Sequence, residues 1–208
     1  MVEVRSRRRG EQLEAALVEA AWTELIEVGY AGLTMESIAA RAHTGIAVLY
    51  RRWANKDEVV LAALEHHRHA HPVEIPDTGT LRGDLLALLA AISSARTTFT
   101  AVAAAAAFSG LLSSTGLTPG QARDKLLGEH SVWRSQLIYR RAHERGEIDL
   151  DRIPPAVLAM PFDLMRHDLL MNLKPLTPAR IRSITDDLVL PLVLIDRSGV
   201  SAPARSSR

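Results

Sequence analysis

Residues 29–56 read GYAGLTMESIAARAHTGIAVLYRRWANK, and this stretch decides the fold. Thr34 is a favourable N-cap for a helix, and Glu36 follows in its first turn, where the helix dipole stabilises negative charge. His43-Thr44-Gly45 interrupts that helix, and a third short helix is predicted over roughly 46–53. Two helices can cross closely only where the residues between them are small, and this stretch supplies Ala39, Ala40, Ala42 and Gly45. The pattern predicts a helix-turn-helix, whose second helix enters the DNA major groove.

Longer helices are predicted on both sides of this unit. Apolar residues recur at helical spacing near 10–28, and Gly29 then supplies a stop. Asn55 and Glu58 have the spacing of a capping box, which predicts a fourth helix over about 56–70. The N-terminal part therefore predicts a three-helix DNA-binding head followed by the start of a connecting helix.

Pro72 to Gly79 is the clearest break in the chain, with two prolines and a Thr-Gly pair. We expect a DNA-binding domain over 1–56 with a basic N-terminal arm. A helical effector-binding and dimerisation domain should occupy 57–196, with 57–71 as a connecting helix, and 197–208 should be a disordered tail. Beyond the break, long helices are predicted at about 81–95, 97–113, 119–145, 154–173 and 178–195. The predicted fold class is all-α, with an N-terminal helix-turn-helix domain and a helical C-terminal domain for ligand binding and dimerisation.

Composition excludes several classes of protein. The chain has 208 residues, a net charge of +1 and no cysteine, which excludes disulfides, thiol catalysis and cysteine-ligated metals. We expect no apolar run to approach the roughly 20 residues of a membrane span, and no secretory signal is visible, so a cytoplasmic protein is predicted. No nucleophile, phosphate-loop or zinc signature appears, so we expect neither an enzyme nor a cofactor.

The N-terminal stretch resembles the TetR family of repressors. Members typically read G-Y/F, T, I-A, A-G-V/T, L-Y, F/W and K in that order. This chain matches over about residues 10–65 with Gly29-Tyr30, Leu33-Thr34, Ile38-Ala39, Ala42, Leu49-Tyr50, Trp53 and Lys56. The segment 76–85 looks like the linker and first effector-domain helix of one TetR subgroup.

The resemblance implies roles for particular residues. Tyr50, Lys56 and Thr34 would contact DNA phosphates, and the start of the recognition helix would face the groove. The chain departs from the family at His43, where members commonly have glycine, and at Ile46, where many in the subgroup have lysine. The residues expected to bind DNA are Arg7, Arg8, Arg9, Thr34, His43, Thr44, Gly45, Ile46, Ala47, Tyr50, Arg51 and Lys56.

A short histidine-rich stretch ends the fourth helix, with His66, His67, His69 and His71. Imidazoles three or four residues apart on a helix can share a metal ion. Cationic side chains at a helix C-terminus also complement the dipole, and no carboxylate or cysteine completes an obvious metal site. Structural capping is the favoured interpretation, and a metal site is the alternative.

Large apolar residues in the C-terminal half either form its core or line a pocket for a small hydrophobic effector. Each one alone is more often core, and the pocket follows from the family resemblance. The residues predicted to contact a ligand are Phe99, Phe108, Leu112, Trp133, Leu137, Phe162 and Met165.

The last two long helices should pair with their copies in a homodimer. Asp163, Arg166, His167 and Asp168 place polar groups in an apolar helix, either to form ion pairs across that interface or to face a ligand. Predicted interface residues are Arg166, His167, Ile181, Ile184, Leu188 and Leu192. The predicted function is a dimeric repressor that binds a palindromic operator and is released by a hydrophobic effector. The alternative is a helical ligand carrier or enzyme without DNA binding.

Overall fold

The computed structural model describes the backbone of residues 2–127 and 130–194, and side chains within 10–122, 124–125 and 136–194. Helices dominate these ranges, and their only extended pairing is an isolated bridge between Ile148 and Leu194. The all-α prediction is therefore confirmed. The tail 197–208 lies outside the described residues.

Four helices form the head of the molecule. They are α1 (Val2–Gly32), α2 (Met35–Arg41), α3 (Ile46–Tyr50) and α4 (Lys56–Ala70). Near the end of α1, Gly29 adopts φ +70°, a left-handed conformation that interrupts the helix where the sequence predicted its stop. The start differs from the prediction, because α1 begins at Val2 and the basic stretch continues the helix.

Side-chain caps set the starts of these helices. Thr34 Oγ1 accepts a hydrogen bond from the Ser37 backbone N–H at 3.1 Å, and Asn55 Oδ1 accepts one from that of Glu58 at 3.1 Å. Each cap pairs an amide N–H that has no carbonyl partner in the first helical turn. Glu58 in turn accepts a hydrogen bond from the Ala54 N–H at 2.8 Å, one residue before the partner that a capping box predicts.

The described residues of the C-terminal half form seven further α-helices. These are α5 (Leu81–Ala106), α6 (Leu112–Thr115), α7 (Pro119–Leu127), α8 (His130–Glu144), α9 (Pro155–Asn172), α10 (Pro178–Arg182) and α11 (Leu190–Val193). A π-helical segment, Ala107–Leu111, joins α5 to α6, and another, Ser183–Val189, joins α10 to α11. The prediction of separate helices at 81–95 and 97–113 is wrong, because no proline or glycine interrupts residues 84–107. Within the predicted helix 119–145, the described residues are helical over Pro119–Leu127 and His130–Glu144.

The helix α5 belongs to two hydrophobic cores. Its first half packs into the C-terminal core through Leu81, Leu85 and Leu89. Its second half reaches the head, where Phe99 is buried among residues of α1 and α4. This one helix therefore connects the interior of the head to that of the C-terminal half.

The same helix with its extension, Leu81–Thr115, is long and apolar enough by composition to cross a membrane. The expectation that no segment approaches that threshold is therefore corrected. Part of this segment's apolar surface is buried against the two cores, because both share the helix. A single helix of this kind is weak evidence for a membrane span, since core helices of soluble proteins pass the same test.

Candidate nucleic-acid interface

The recognition helix α3 has a buried face and an exposed face. Leu49 is fully buried, and Ile46 is partly buried against the head core. On the opposite side, Ala47, Tyr50 and Arg51 are exposed, and the Tyr50 side chain is 52% exposed. Residues three and four apart share a helix face, so these three side chains form one surface directed away from the core.

The turn before α3 explains one departure from the family pattern. His43 adopts φ +52°, in the left-handed region that glycine occupies without steric cost. A glycine is common here in the family because the turn needs this conformation. The His43 side chain is exposed at the turn, beside the partly exposed Thr44 and the exposed N-cap Gly45.

Lys56 holds the end of α1 against the start of α4. Its Nζ donates to the carbonyl oxygen of Tyr30 at 3.1 Å and to that of Leu33 at 3.5 Å, and it lies 4.3 Å from the centre of the Tyr30 ring. An ammonium group has three N–H donors, and these two carbonyl oxygens accept from two of them. The residue therefore has a structural role beside its predicted role in DNA binding.

An arginine anchors α2 to α1. Arg41 Nε donates to Glu24 Oε1 at 2.6 Å, and the same guanidinium pairs with Glu27. The hydrogen bond from Arg41 is the main reason that the pKa of Glu24 lies below its usual value, although burial opposes the shift. This pairing holds α2 against α1 and pairs the charge of Arg41, whose side chain is 33% exposed, with two carboxylates.

Tyr30 connects the head to the C-terminal half. Its hydroxyl donates to Asp57 Oδ1 at 2.5 Å and lies 2.8 Å from Ser114 Oγ on α6. Gly110, at φ +119° in the π-helical segment, lies against the tyrosine ring, and a Cβ there would be 3.5 Å from Tyr30 Cε1. Burial is the main cause that raises the pKa of Tyr30, so the phenol stays protonated and can donate. This contact is not predictable from the sequence, since no local pattern pairs residues so far apart.

The histidine-rich end of α4 packs against aromatic rings. His67 stacks on Trp22 with ring centres 3.7 Å apart, and Phe99 lies parallel at 6.5 Å. Burial, and then the neighbouring His71, lower the pKa of His67. Within the described residues, no three His, Cys, Asp or Glu side chains are grouped to hold a metal ion. His71 Nδ1 lies 2.9 Å from the His67 carbonyl oxygen and caps the end of the helix.

The residues predicted to contact a ligand do not come together. Phe99 belongs to the head core, and Phe108 is 84% exposed. Phe162 and Met165 are buried in the C-terminal core, while Leu112 and Leu137 are partly buried. The side chain of Trp133 lies outside the described residues.

Two open cavities lie at the head instead. One of about 260 Å³ is formed by α1 and α5 and includes Leu25 and Val102. The other, of about 210 Å³, involves α4 and Lys125 of α7. None of the predicted ligand residues lines either cavity.

The predicted dimer residues separate into two groups. Ile181 and Ile184 are buried in the chain's own C-terminal core, so the expectation that they face a partner is corrected. Leu188 and Leu192 are 39% and 61% exposed, as an interface requires. His167 is exposed on α9.

The polar residues of α9 pair within the chain. Arg166 pairs with Asp163, three residues away on the same helix. Asp168 accepts a hydrogen bond from Arg180 Nε at 2.6 Å, which ties α9 to α10. These groups therefore have partners without a second copy of the chain.

The side chains of Arg7, Arg8 and Arg9 lie outside the described residues.

Comparisons with known proteins agree with this architecture. Residues 17–63 match the model described as bacterial regulatory proteins, tetR family, and residues 75–188 match the tetracyclin repressor-like C-terminal domain. Two solved structures share the fold. One, of a TetR-family transcriptional regulator from Mesorhizobium loti, has a TM-score of 0.62 at 16% identity and covers 90% of this chain and 99% of its own. The TetR family regulator SCO0332 has a TM-score of 0.61 at 24% identity, covering 86% and 97%.

Sequence relatives give the same result. An HTH-type transcriptional regulator of Mycobacterium tuberculosis is 31% identical over 176 residues, which are 80% of this chain and 81% of that protein. The DNA-binding transcriptional repressor TetR of Mycobacteroides abscessus is 46% identical over 81 residues, which are 39% of this chain and 43% of the repressor, less than half of either. The chain thus belongs to the TetR family of non-enzymatic transcriptional regulators and carries its DNA-binding helix-turn-helix domain.

Proposed function

We propose that this regulator is a cytoplasmic repressor that binds a palindromic operator as a homodimer and leaves it when a small hydrophobic effector binds. The observation that carries the proposal is the exposed face of α3, with Ala47, Tyr50 and Arg51 directed away from a fully buried Leu49. A helix anchored on one side and free on the other can enter a major groove without disturbing the core. Repression is supported by the name of the Mycobacteroides abscessus relative.

The phosphate contacts would come from the edges of this face. Tyr50 presents an exposed hydroxyl, and the remaining donor of Lys56 lies at the N-terminus of α4. Thr34 is exposed at the start of α2, and although its oxygen accepts a bond from Ser37, its hydroxyl proton is free to donate to a phosphate. Arg7, Arg8 and Arg9 would add charge from the start of α1.

The homodimer would form through α9 and the segment that ends the described chain. Leu170, Met171, Leu188 and Leu192 are exposed there. Exposed apolar residues concentrated in one part of a soluble protein usually mark an interface. A two-fold contact would place two copies of α3 in successive major grooves, about 34–36 Å apart.

Release would follow from a change in that spacing. A ligand that prefers a conformation with a different head spacing shifts the population towards it and weakens operator binding. The packing supports this route, because α5 belongs to both cores and so connects the head to the C-terminal half. Leu137, Phe162 and Met165 would line a pocket if the C-terminal core opened around a hydrophobic molecule.

The test is operator binding measured against salt concentration. With six to ten phosphate contacts per dimer, affinity should fall about 10³–10⁵-fold between 50 and 200 mM salt. Tyr50→Phe should weaken binding to all sequences alike, because phosphate contacts carry no base information. The matched control is Tyr139→Phe, which removes a buried hydroxyl that donates to the Leu158 carbonyl in the C-terminal half. This variant should leave the dependence of DNA affinity on salt concentration unchanged. A salt-independent affinity, or a sequence-dependent Tyr50 effect, would contradict the proposed contacts.

A further inference from the structure

We propose that Arg51 is the residue that reads a guanine in each half-site, and that the start of α3 has a smaller part in base recognition. The inference rests on the proposed operator binding. The family resemblance implies only that the start of the recognition helix faces the groove. Three observations support it: the contacts of the other cations of the head, the two faces of α3, and the length of that helix.

The first observation concerns which cations already have partners. Arg41 is held by two glutamates of α1, and Lys56 donates to two backbone carbonyls. Arg52 donates to the Val48 carbonyl at 3.4 Å and lies 3.9 Å from Glu14. Arg68, at the far end of α4, lies beside His69. Among the arginines and lysines of residues 10–71, the Arg51 guanidinium is therefore the one without a hydrogen bond or ion pair.

The second observation concerns the two faces of α3. Arg51 follows Ala47 by four residues, and both are exposed. A methyl group at position 47 leaves the surface beside the arginine open, so a long side chain can lie along the helix towards its N-terminus. Ile46 has the opposite environment, because it packs partly buried against the head core and has no polar group to offer. At position 46 many members of the subgroup have lysine, whose ammonium group can donate a hydrogen bond to a base, and Ile46 cannot. Arg51 provides a hydrogen-bond donor on the exposed face instead.

The third observation is the shortness of the helix. Ile46–Tyr50 is five residues long, which corresponds to about 7.5 Å at 1.5 Å per residue. The major groove is about 12 Å wide, so even the C-terminal end of this helix stays within reach of base edges. Arginine donates two parallel hydrogen bonds to the O6 and N7 atoms of guanine, which is the commonest specific contact in the major groove. The unpaired guanidinium of Arg51 on this face can donate both of these hydrogen bonds to a guanine.

The experiment is a binding-site selection from a random DNA library, with the full chain and three variants. Arg51→Ala removes the side chain, and Arg51→Lys keeps the charge but loses the two-pronged donor geometry. Arg52→Lys is the matched control, because it makes the same change at the neighbouring residue, whose side chain already contacts Val48 and Glu14. Affinity for the selected site and for a non-specific duplex is then measured at two salt concentrations.

We expect the wild-type motif to contain one guanine per half-site that disappears with both Arg51 variants. Discrimination at that position should fall about 5- to 150-fold, the effect of losing one bidentate base contact. Arg51→Lys should retain non-specific affinity and its salt dependence, and Arg52→Lys should select the wild-type motif. An unchanged motif with Arg51→Lys, together with uniformly weaker binding by Arg51→Ala, would show a phosphate contact and overturn the assignment. If the wild-type chain itself selects no palindrome, the proposed operator binding fails and the assignment fails with it.

Discussion

The head and the C-terminal half are both helical, but they are held together by contacts of different range. In the head, Thr34 is bonded to Ser37 three residues away, Arg41 to Glu24 seventeen away, and Lys56 to Tyr30 twenty-six away. The C-terminal half depends on longer connections.

Three hydrogen bonds illustrate that longer range. Arg82 pairs with Asp186 across 104 residues, the Leu176 N–H donates to Ser93 Oγ across 83, and the Leu81 N–H donates to Glu147 across 66. Local patterns therefore predict the head well. They predict the helices of the C-terminal half, but not which side chains meet there.

The largest expected effect tests whether the two cores unfold in a single cooperative transition. Leu49 in the head and Leu85 in the C-terminal half are both fully buried. Leu49→Ala and Leu85→Ala should each lower the free energy of unfolding by about 2–5 kcal/mol, from lost burial and the cavity left behind. Because α5 belongs to both cores, each variant should show a single shifted transition in chemical denaturation followed by circular dichroism. Two separate transitions in either variant would mean that the halves unfold independently.

A second expected effect concerns the exposed end of the C-terminal half. Leu192→Arg places a charge on a side chain that is 61% exposed in the single chain, so folding should be preserved. If Leu192 lies in a dimer interface, the unpaired charge should weaken association by several kcal/mol. Light scattering should then report a monomer, and operator affinity should collapse although the head is untouched.

The matched control is Ile26→Arg, which changes a 50% exposed residue of the head. It should leave the dimer intact. A dimer that survives Leu192→Arg would move the interface elsewhere.

A smaller effect tests the contact between the two halves. Tyr30→Phe removes the hydroxyl that bonds Asp57 and Ser114, and Ser114→Ala removes only the second of these partners. Each hydrogen bond contributes about 0.5–1.5 kcal/mol to stability, so Tyr30→Phe should cost more. In a double-mutant cycle the two changes should be non-additive. Additive losses in thermal unfolding would show that the two hydroxyls do not interact.

The smallest expected effect concerns the turn of the helix-turn-helix. His43 adopts a left-handed conformation, which costs a residue with a Cβ atom roughly 1–2 kcal/mol. Glycine avoids this cost, but its larger conformational entropy in the unfolded chain offsets part of the gain. His43→Gly should therefore stabilise the protein by about 0.5–1 kcal/mol, and His43→Val should destabilise it. If His43 contacts a phosphate as well, His43→Gly should raise the melting temperature while it weakens DNA binding. A lower melting temperature for the glycine variant would argue against strain at this turn.

The sequence by itself determined the helical class, the caps at Thr34 and Asn55, the stop at Gly29 and the helix-turn-helix. These features depend on hydrogen bonds and dihedral preferences within a few residues of one another, so they can be recognised in one stretch of chain. The family resemblance placed Tyr50 and Arg51 among the residues expected to bind DNA. The family resemblance covered the same stretch, where local and global preferences agree.

Only the tertiary structure decided which side chains are covered. It buried Ile181 and Ile184 inside one chain, exposed Phe108, and placed Phe99 in the head core. It also gave Lys56 two carbonyl partners and left the Arg51 guanidinium without one. The physical reason is that burial and pairing depend on what packs against a residue from distant parts of the chain. Helical periodicity shows which residues share a face, but the neighbour of that face is set by the packing of whole helices.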